Sequence, residues 1–230
     1  MGGKRPVAAF DIDGTIFRSS LALELADRLV ERGVFPKESR ARYEDEWRRW
    51  RERRGLYEDY FEKIVQLLHE EIKGASYEMV ADIAGEIIEE QRHHVYRYTR
   101  DLVHELKDKG YYLLAISHSP KFIVDGFGYE MGFDKTYGMF YATGASGRFT
   151  GEIEDEEFIM NKGGILQRAV RKEGLTLEGS VVVGDTESDI PMLELAQTPI
   201  AFNPNRGLYR EAKRNGWKVV VERKDVVYTL

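Results

Sequence analysis

The sequence predicts an α/β fold: a doubly wound parallel sheet with helices on both faces and a helical insert after its first strand. Three observations carry that expectation. Short apolar runs bounded by turn residues recur at Pro6–Phe10, Tyr112–Ile116, Val181–Val183, Ile200–Phe202 and Trp217–Val221. From Leu102 onward they alternate with stretches of helical periodicity, the order that gives parallel strands joined by crossover helices. Between the first run and the second, residues 18–96 carry helical periodicity and few strand signals.

Taken in order, Pro6–Phe10 is too short for a useful helix and reads as a buried strand. Leu21, Leu25 and Leu29 make an apolar stripe that stops at Gly33, with Pro36 beyond it. Tyr43, Trp47, Trp50 and Arg54 recur at helical spacing through a highly charged segment that Gly55 closes. Phe61, Ile64, Val65, Leu68 and Ile72 form the next stripe, ending at Gly74; Met79, Val80, Ile83, Ile87 and Ile88 form another. Leu102 and Leu106 then lead through Lys109-Gly110 into the strand Tyr112–Ile116. Pro120 to Met131 reads as a helix closed by Gly132. Tyr137–Thr143 and Arg148–Ile153 are strand-like, and the turn-rich Gly144-Ala145-Ser146-Gly147 between them predicts a hairpin. Lys162–Glu173 is a helix stopped at Gly174. The runs Val181–Val183, Asp189–Ala196, Ile200–Phe202, Gly207–Asn215 and Trp217–Val221 then read strand, helix, strand, helix, strand. Residues 222–230 carry no pattern.

A chain of 230 residues suits one α/β domain with a smaller insert. Its 42% hydrophobic and 32% charged residues describe a globular protein with a sizeable core. A formal charge of −6 argues against nucleic acid as a partner. With no cysteine, disulfides, thiolate metal sites and cysteine nucleophiles are excluded. No apolar run approaches the ~20 residues of a membrane helix, and the first residues lack the apolar segment of a signal peptide. The expectation is a cytoplasmic protein with no membrane partner. Nothing in the pattern sets an oligomeric state.

The chemistry concentrates where strands end. Pro6–Phe10 runs directly into Asp11-Ile12-Asp13-Gly14-Thr15. A strand ending in this way points both acids out of its carboxyl end, where open α/β sheets place their ligands. Two anions so close repel each other unless a cation lies between them or one takes up a proton. Gly14 lets the backbone turn so that amide N–H groups can face an anion such as phosphate. Far downstream, Val181–Val183 runs into Gly184-Asp185-Thr186-Glu187-Ser188-Asp189, a second acidic turn. Between the two lie Ile116-Ser117-His118-Ser119, a hydroxyl after an apolar run, and Asn161-Lys162-Gly163, a lysine at a helix start. A lysine there opposes the helix dipole, which favours an anion nearby.

A nucleophilic acid, a hydroxyl, a lysine and an acidic pair, in that order, resemble the haloacid dehalogenase superfamily of phosphohydrolases. The resemblance spans residues 7–203. It is nearest to the phosphoserine-phosphatase-like branch at Ala115-Ile116-Ser117-His118-Ser119-Pro120 and at Gly184-Asp185 with Asp189-Ile190-Pro191-Met192-Leu193. It implies a Rossmann-like core of residues 1–17 and 97–230, with residues 18–96 as a small helical cap. It also implies that Asp11 is the nucleophile and Asp13 the acid–base. The chemistry of the residues agrees. A carboxylate such as Asp11 can attack phosphorus to give an aspartyl-phosphate, and Asp13 is placed to protonate the leaving oxygen and later deprotonate water.

Hard oxygen ligands favour Mg²⁺, with Asp11 and Asp185 as side-chain ligands and Asp189 acting through a water; the Asp13 backbone carbonyl completes the set by resemblance. Ser117 and Lys162 are expected on the phosphate oxygens, with Gly14 and Thr15 adding donors and His118 within reach of substrate. The expected activity is Mg²⁺-dependent hydrolysis of a small phosphorylated metabolite, phosphoserine being the named candidate. A different small phosphomonoester, or transfer of the phosphoryl group to an alcohol, stands as the alternative. Relatives that act on phosphoserine carry an acid at the position of Ser20, so Glu24, one turn on, is the expected partner for a substrate ammonium. The glycines usual after the motif hydroxyl are replaced by His118 and Ser119.

Two further features read as structural. His93 and His94 are adjacent and so cannot share a helix face as joint ligands. The run Arg48-Arg49-Trp50-Arg51-Glu52-Arg53-Arg54 is interleaved with Glu44, Asp45, Glu46 and Glu52, which suits a salt-bridged helix. One of its arginines is free to face the site and hold an anionic substrate tail.

Overall fold

The computed structural model describes residues 3–230, apart from the side chain of residue 58. Strand β1 (Pro6–Phe10) is followed by α1 (Leu21–Glu31), a 3-10 turn (Lys37–Arg40), α2 (Ala41–Arg51), α3 (Tyr57–Glu71), α4 (Tyr77–Gln91) and α5 (Arg97–Asp108). Then come β2 (Tyr112–Pro120), α6 (Lys121–Met131), the hairpin β3 (Lys135–Thr143) and β4 (Phe149–Glu154), α7 (Glu156–Met160) and α8 (Lys162–Lys172). The chain ends with β5 (Thr176–Gly184), a 3-10 turn (Glu187–Asp189), α9 (Ile190–Leu193), β6 (Thr198–Phe202), α10 (Arg206–Asn215), β7 (Lys218–Arg223) and β8 (Val226–Thr229).

The eight strands form one sheet in the order β4-β3-β2-β1-β5-β6-β7-β8. Every pairing from β3 to β7 is parallel, and the two edge pairs, β3 with β4 and β7 with β8, are antiparallel. The sheet is therefore mixed at both edges rather than parallel throughout. Its parallel centre is buried on both faces: Val7, Ala8, Ala9 and Phe10 of β1 have no exposure at all. From β1 the chain winds outward through β2 and β3, then crosses back to β5 and winds the other way. The reversal lies between β1 and β5, and such a switch point opens a crevice at the carboxyl ends of the two strands. Phe10 pairs with Val183 across it, so Asp11 and Asp185 emerge near one another.

Helices α1 to α4 form the insert. Its two crossings are tied together, because Arg18 N–H donates to His94 O and Tyr96 N–H donates to Ile16 O. Below that neck the insert is not a separate body. Leu21, Leu25 and Leu29 of α1 and Val80, Ile83 and Ile87 of α4 belong to the same buried cluster as the sheet, and α4 packs on α6. Helix α2 buries only Tyr43 and rests on α3 and the preceding 3-10 turn. The insert also reaches the hairpin, where Gly74 N–H donates to Phe149 O.

Three expectations change. Asp189–Ala196 is not a single helix: Thr186 and Asp189 make a reciprocal capping box that winds a 3-10 turn before the four residues of α9. The pattern-poor tail contains β8, which pairs back on β7 at the sheet edge. The charged segment around Trp50 stops at Arg51, and Arg53 takes a left-handed conformation (φ 61°). Among the described residues no helix is long and apolar enough to cross a membrane.

Candidate active site

The loop leaving β1 is wound tightly around one carbonyl. The N–H groups of Thr15, Ile16 and Phe17 all donate to Ile12 O, while Gly14 N–H donates to Phe17 O and Ser19 O. Gly14 takes a φ of +80°, and a Cβ there would collide with the Asp185 carboxylate. Glycine is needed for both reasons, the turn and the close approach. Its amide, however, faces the loop carbonyls and not the crevice, contrary to the expected contact with phosphate. Thr15 is likewise engaged elsewhere: its hydroxyl donates to Asp185 Oδ1 at 3.2 Å, and its carbonyl accepts from the Thr99 hydroxyl at 2.8 Å. Both residues sit behind the carboxylates and hold them in place.

Lys162 joins the motifs. Asn161 caps α8 by accepting from Gly164 N–H at 2.9 Å, which sets Lys162 in the first turn. Its ammonium lies 2.7 Å from Asp11 Oδ1 and 2.6 Å from Asp189 Oδ1, and all three side chains are at most 5% exposed. The other oxygen of Asp189 accepts from the backbone N–H groups of Asp185 (2.9 Å) and Thr186 (3.0 Å). Both Asp189 oxygens are thus engaged, one with Lys162 and the other with the Asp185 turn. Gly163 lets α8 come this close, since a Cβ there would lie 2.7 Å from Pro191 O.

Asp11, Asp185 and Asp189 bring carboxylate oxygens within 4.8 Å of one another. Three carboxylates against one ammonium leave two negative charges without a partner. Burial first, then the neighbouring acids, push the Asp11 carboxyl up to about 7 despite Lys162, and the same causes raise Asp185 well above the usual carboxylate range. A divalent cation with a preference for oxygen supplies the missing charge, so the donor set fits Mg²⁺. Burial also acts on the Lys162 ammonium, but the two acids prevail and hold it firmly protonated.

Asp13 is organised differently. Its Oδ1 accepts from Leu21 N–H at 2.6 Å, at the start of α1, and its Oδ2 accepts the hydroxyls of Ser117 (2.6 Å) and Ser119 (2.8 Å). Ser119 Oγ in turn accepts from Ala22 N–H at 3.0 Å. The second acid of the loop therefore ties the end of β2 to the first turn of the insert. Ser117, expected on phosphate, is bound to Asp13 in this arrangement. His118 lies beside Asp11 and Lys162; it meets the backbone of Ile159, and its Nε2 has no partner among the described residues. Burial, reinforced by Lys162, pushes the imidazole down to about 3, so it is neutral at physiological pH.

Two cavities open from this cluster. One, of about 630 Å³, contains Asp11, Asp13, His118 and Lys162 and is walled by α3 and α7. The other, of about 1070 Å³, begins at Gly14, Ser19 and Asp185 and extends beneath α2 and α3. Tyr57, the first residue of α3, lines both. Its hydroxyl is held well above the usual phenol range by burial, with Asp13 and Asp185 adding to it, and it lies beside the fully buried Ser20. Sequence reasoning missed Tyr57, although its spacing to Phe61, on which it stacks at 21°, was a usable signal. Glu24 lines neither cavity, and its charge falls instead on Tyr60. His94 packs edge-on against Phe17 at the neck of the insert.

Comparison with known proteins follows the same lines. The haloacid dehalogenase-like hydrolase family model matches residues 8–194. An inhibition of morphological differentiation protein from Streptomyces azureus is 26% identical over 94% of this chain and 78% of that protein. A phosphoserine phosphatase from Archaeoglobus fulgidus is 29% identical over 87% of this chain and 53% of its own length. A phosphoserine phosphatase solved as a phospho-aspartyl intermediate analogue superposes with a TM-score of 0.63 at 24% identity, covering 97% of this chain and 96% of that one.

Proposed function

This chain belongs to the haloacid dehalogenase-like hydrolase family, and from that premise we propose that it is a Mg²⁺-dependent phosphomonoesterase acting on a small phosphorylated metabolite. The observation that carries the reading is the position of Asp11. It stands at the switch point of the sheet with Oδ1 fixed by Lys162, and it faces Asp185. A carboxylate held in this way by one oxygen keeps its other oxygen for attack on phosphorus. The bond from phosphorus to the ester oxygen breaks as the bond to Asp11 forms, and the departing alkoxide takes a proton from Asp13. Asp13 then removes a proton from water, whose oxygen attacks the aspartyl-phosphate, releasing phosphate and restoring Asp11. To reach substrate, Asp13 gives up one of its serine hydrogen bonds, and the freed Ser117 hydroxyl turns to the phosphoryl oxygens. Lys162 offsets charge on the same group.

Asp11, Asp185 and the Asp13 backbone carbonyl would hold the Mg²⁺. Bound there, the ion neutralises charge that builds on the phosphoryl oxygens. Asp189 keeps Lys162 in register. Residues 18–96 act as the cap that covers the phosphoryl site and excludes water during transfer.

Phosphoserine, the substrate named for the Archaeoglobus relative, is the first compound to assay. Neither Ser20, buried beside Tyr57, nor Glu24, outside both cavities, supplies a carboxylate for its ammonium. The test is hydrolysis of p-nitrophenyl phosphate and phosphoserine with and without millimolar Mg²⁺, in wild type and Asp185→Ala. Activity is expected to vanish on chelation, and the variant to need more Mg²⁺ or to stay inactive. Turnover that survives complete chelation would sink the metal assignment, and phosphate transferred to an added alcohol in place of water would make the protein a phosphotransferase.

A further inference from the structure

The larger cavity has a chemical character that the phosphoryl site does not explain. Its volume of about 1070 Å³ lies just above the range of roughly 300–1,000 Å³ that suits drug-sized ligands. Its inner wall is aromatic: Trp47, Trp50, Tyr57, Tyr60 and Tyr96 all line it. Trp50 stacks on Tyr60 at 15° and meets Tyr57 edge-on at 5.4 Å, so these rings form a continuous surface. Arg51 lies over the Trp47 ring at 4.6 Å and Trp50 is stacked on Tyr60. A ligand therefore meets the faces these contacts leave, together with the indole N–H groups, for which no hydrogen bond is found among the described residues.

The mouth is cationic. Arg18, Arg53, Arg206 and Arg210 line it, and among the described residues none of them forms an ion pair. Arg28, Arg32, Arg42 and Arg92, which lie away from the cavity, each pair with a glutamate. The four guanidinium groups come from three separate places, namely the loop after β1, the turn after α2 and helix α10; that of Arg18 lies over the Tyr96 ring, 5.3 Å from its centroid. Of the acids in the wall, Glu187 lies against Gly207, where a Cβ would overlap its carboxylate, in the first turn of α10. There it answers the helix dipole and not the arginines. Asp185 lies at the inner end, and Glu62, the third acid of the wall, borders both cavities.

We infer that this arginine-rimmed aromatic chamber receives the leaving group of the substrate, and that the leaving group is a planar aromatic body carrying a second negative charge, not an amino acid. The inference rests on the phosphatase reading and narrows its substrate class. The aromatic wall stacks the body, the arginines take the terminal anion, and the ester oxygen stays at the inner end beside Asp185 and Gly14. An ammonium-bearing leaving group finds four cations at this mouth and would be disfavoured.

The test is a matched series: phenyl phosphate, 4-carboxyphenyl phosphate, 4′-carboxybiphenyl-4-yl phosphate, 4-(aminomethyl)phenyl phosphate and phosphoserine, compared by kcat/KM. The carboxybiphenyl ester is expected to exceed phenyl phosphate by about ten-fold or more, with the aminomethyl ester and phosphoserine below both. Arg53→Glu should lower kcat/KM for the carboxylated esters at least about five-fold more than for phenyl phosphate. Trp50→Ala should cost the biphenyl ester more than the phenyl one. Equal losses on all esters would reduce the arginines to general attraction of phosphate and overturn the inference. A preference for the aminomethyl ester or phosphoserine would also overturn it, while leaving the phosphatase reading intact. Turnover of none of the five would remove that reading and this one together.

Discussion

Replacing Lys162 with methionine keeps the length of the side chain and removes the ammonium between Asp11 and Asp189. Taking one partner from a buried ion pair costs ~3–5 kcal/mol because it strands a charge, a large part of the ~5–15 kcal/mol that holds a domain folded. The penalty should also depend on pH in a definite sense. Asp11 sits at about 7, pushed up by burial and held down by Lys162. Without the ammonium nothing holds it down, and the variant keeps its Asp11 proton across pH 6–8, where the wild type sheds it. The variant's native state then binds on average about half a proton more than the wild type over those two units, while both unfolded chains behave alike. Stability falls with rising pH wherever the native state holds more protons than the unfolded one, so the variant falls faster. Integration gives a penalty about 1.4 kcal/mol larger at pH 8 than at pH 6. Urea unfolding of both proteins in chelator at the two pH values measures it. A penalty that is flat with pH, or larger at pH 6, would refute the account of a carboxylate held down by Lys162.

Three more outcomes follow from the site. Asp11→Asn is expected to lose activity by at least ~10²-fold, since an amide cannot attack phosphorus, while Asp13→Asn accumulates phosphoenzyme from an ester with a good leaving group; mass spectrometry of quenched reactions distinguishes them. Gly163→Ala pushes a methyl against Pro191 O and should cost ~1–3 kcal/mol in urea unfolding, with Gly3→Ala, which meets nothing, as the control. His118 is neutral in the fold, with a value near 3 against 6.5 when free, so the unfolded chain gains a proton as pH drops and native stability declines. From pH 7.5 to 5 that contribution is about 2 kcal/mol; His118→Gln should show a shallower decline, and an equal slope in both proteins would exclude the buried neutral imidazole.

Asp11, Asp13, Ser117, Lys162 and Asp185 were legible in the sequence because each follows an apolar strand-like run or begins a helix whose local pattern is strong. The parallel register of β1 with β2 and β5 then brings those ends together. What stayed hidden depended on where backbone groups point. The Gly14 amide was expected to face an anion, but the carbonyls of Phe17 and Ser19 in the same loop accept it. Glu24 lies one turn beyond Ser20, yet four residues of helix carry it about 6 Å along the axis, and it lines neither cavity. Tyr57 extends the stripe of Phe61 and Ile64 by one turn, but that spacing marks only a shared helix face; that the face opens on the site is set by the burial of Tyr60 and Ile64 against the rest of the fold. The edge strand β8 was invisible because a four-residue strand with one half-buried residue leaves almost no periodicity.

The uneven anchoring of the insert has an evolutionary consequence. Helices α1 and α4 are fused to the sheet's core, so their sequences answer to the fold as a whole. Helix α2 rests chiefly on α3, buries a single residue and supplies Trp47 and Trp50 to the chamber, with Arg53 following in the turn beyond it. Mutation there is screened mainly by the ligand, and foldability imposes little. Residues 41–55, helix α2 and the turn after it, are thus a cassette: they can drift, or be exchanged between relatives, and redirect the enzyme to a new ester while the carboxylates beneath them stay as they are.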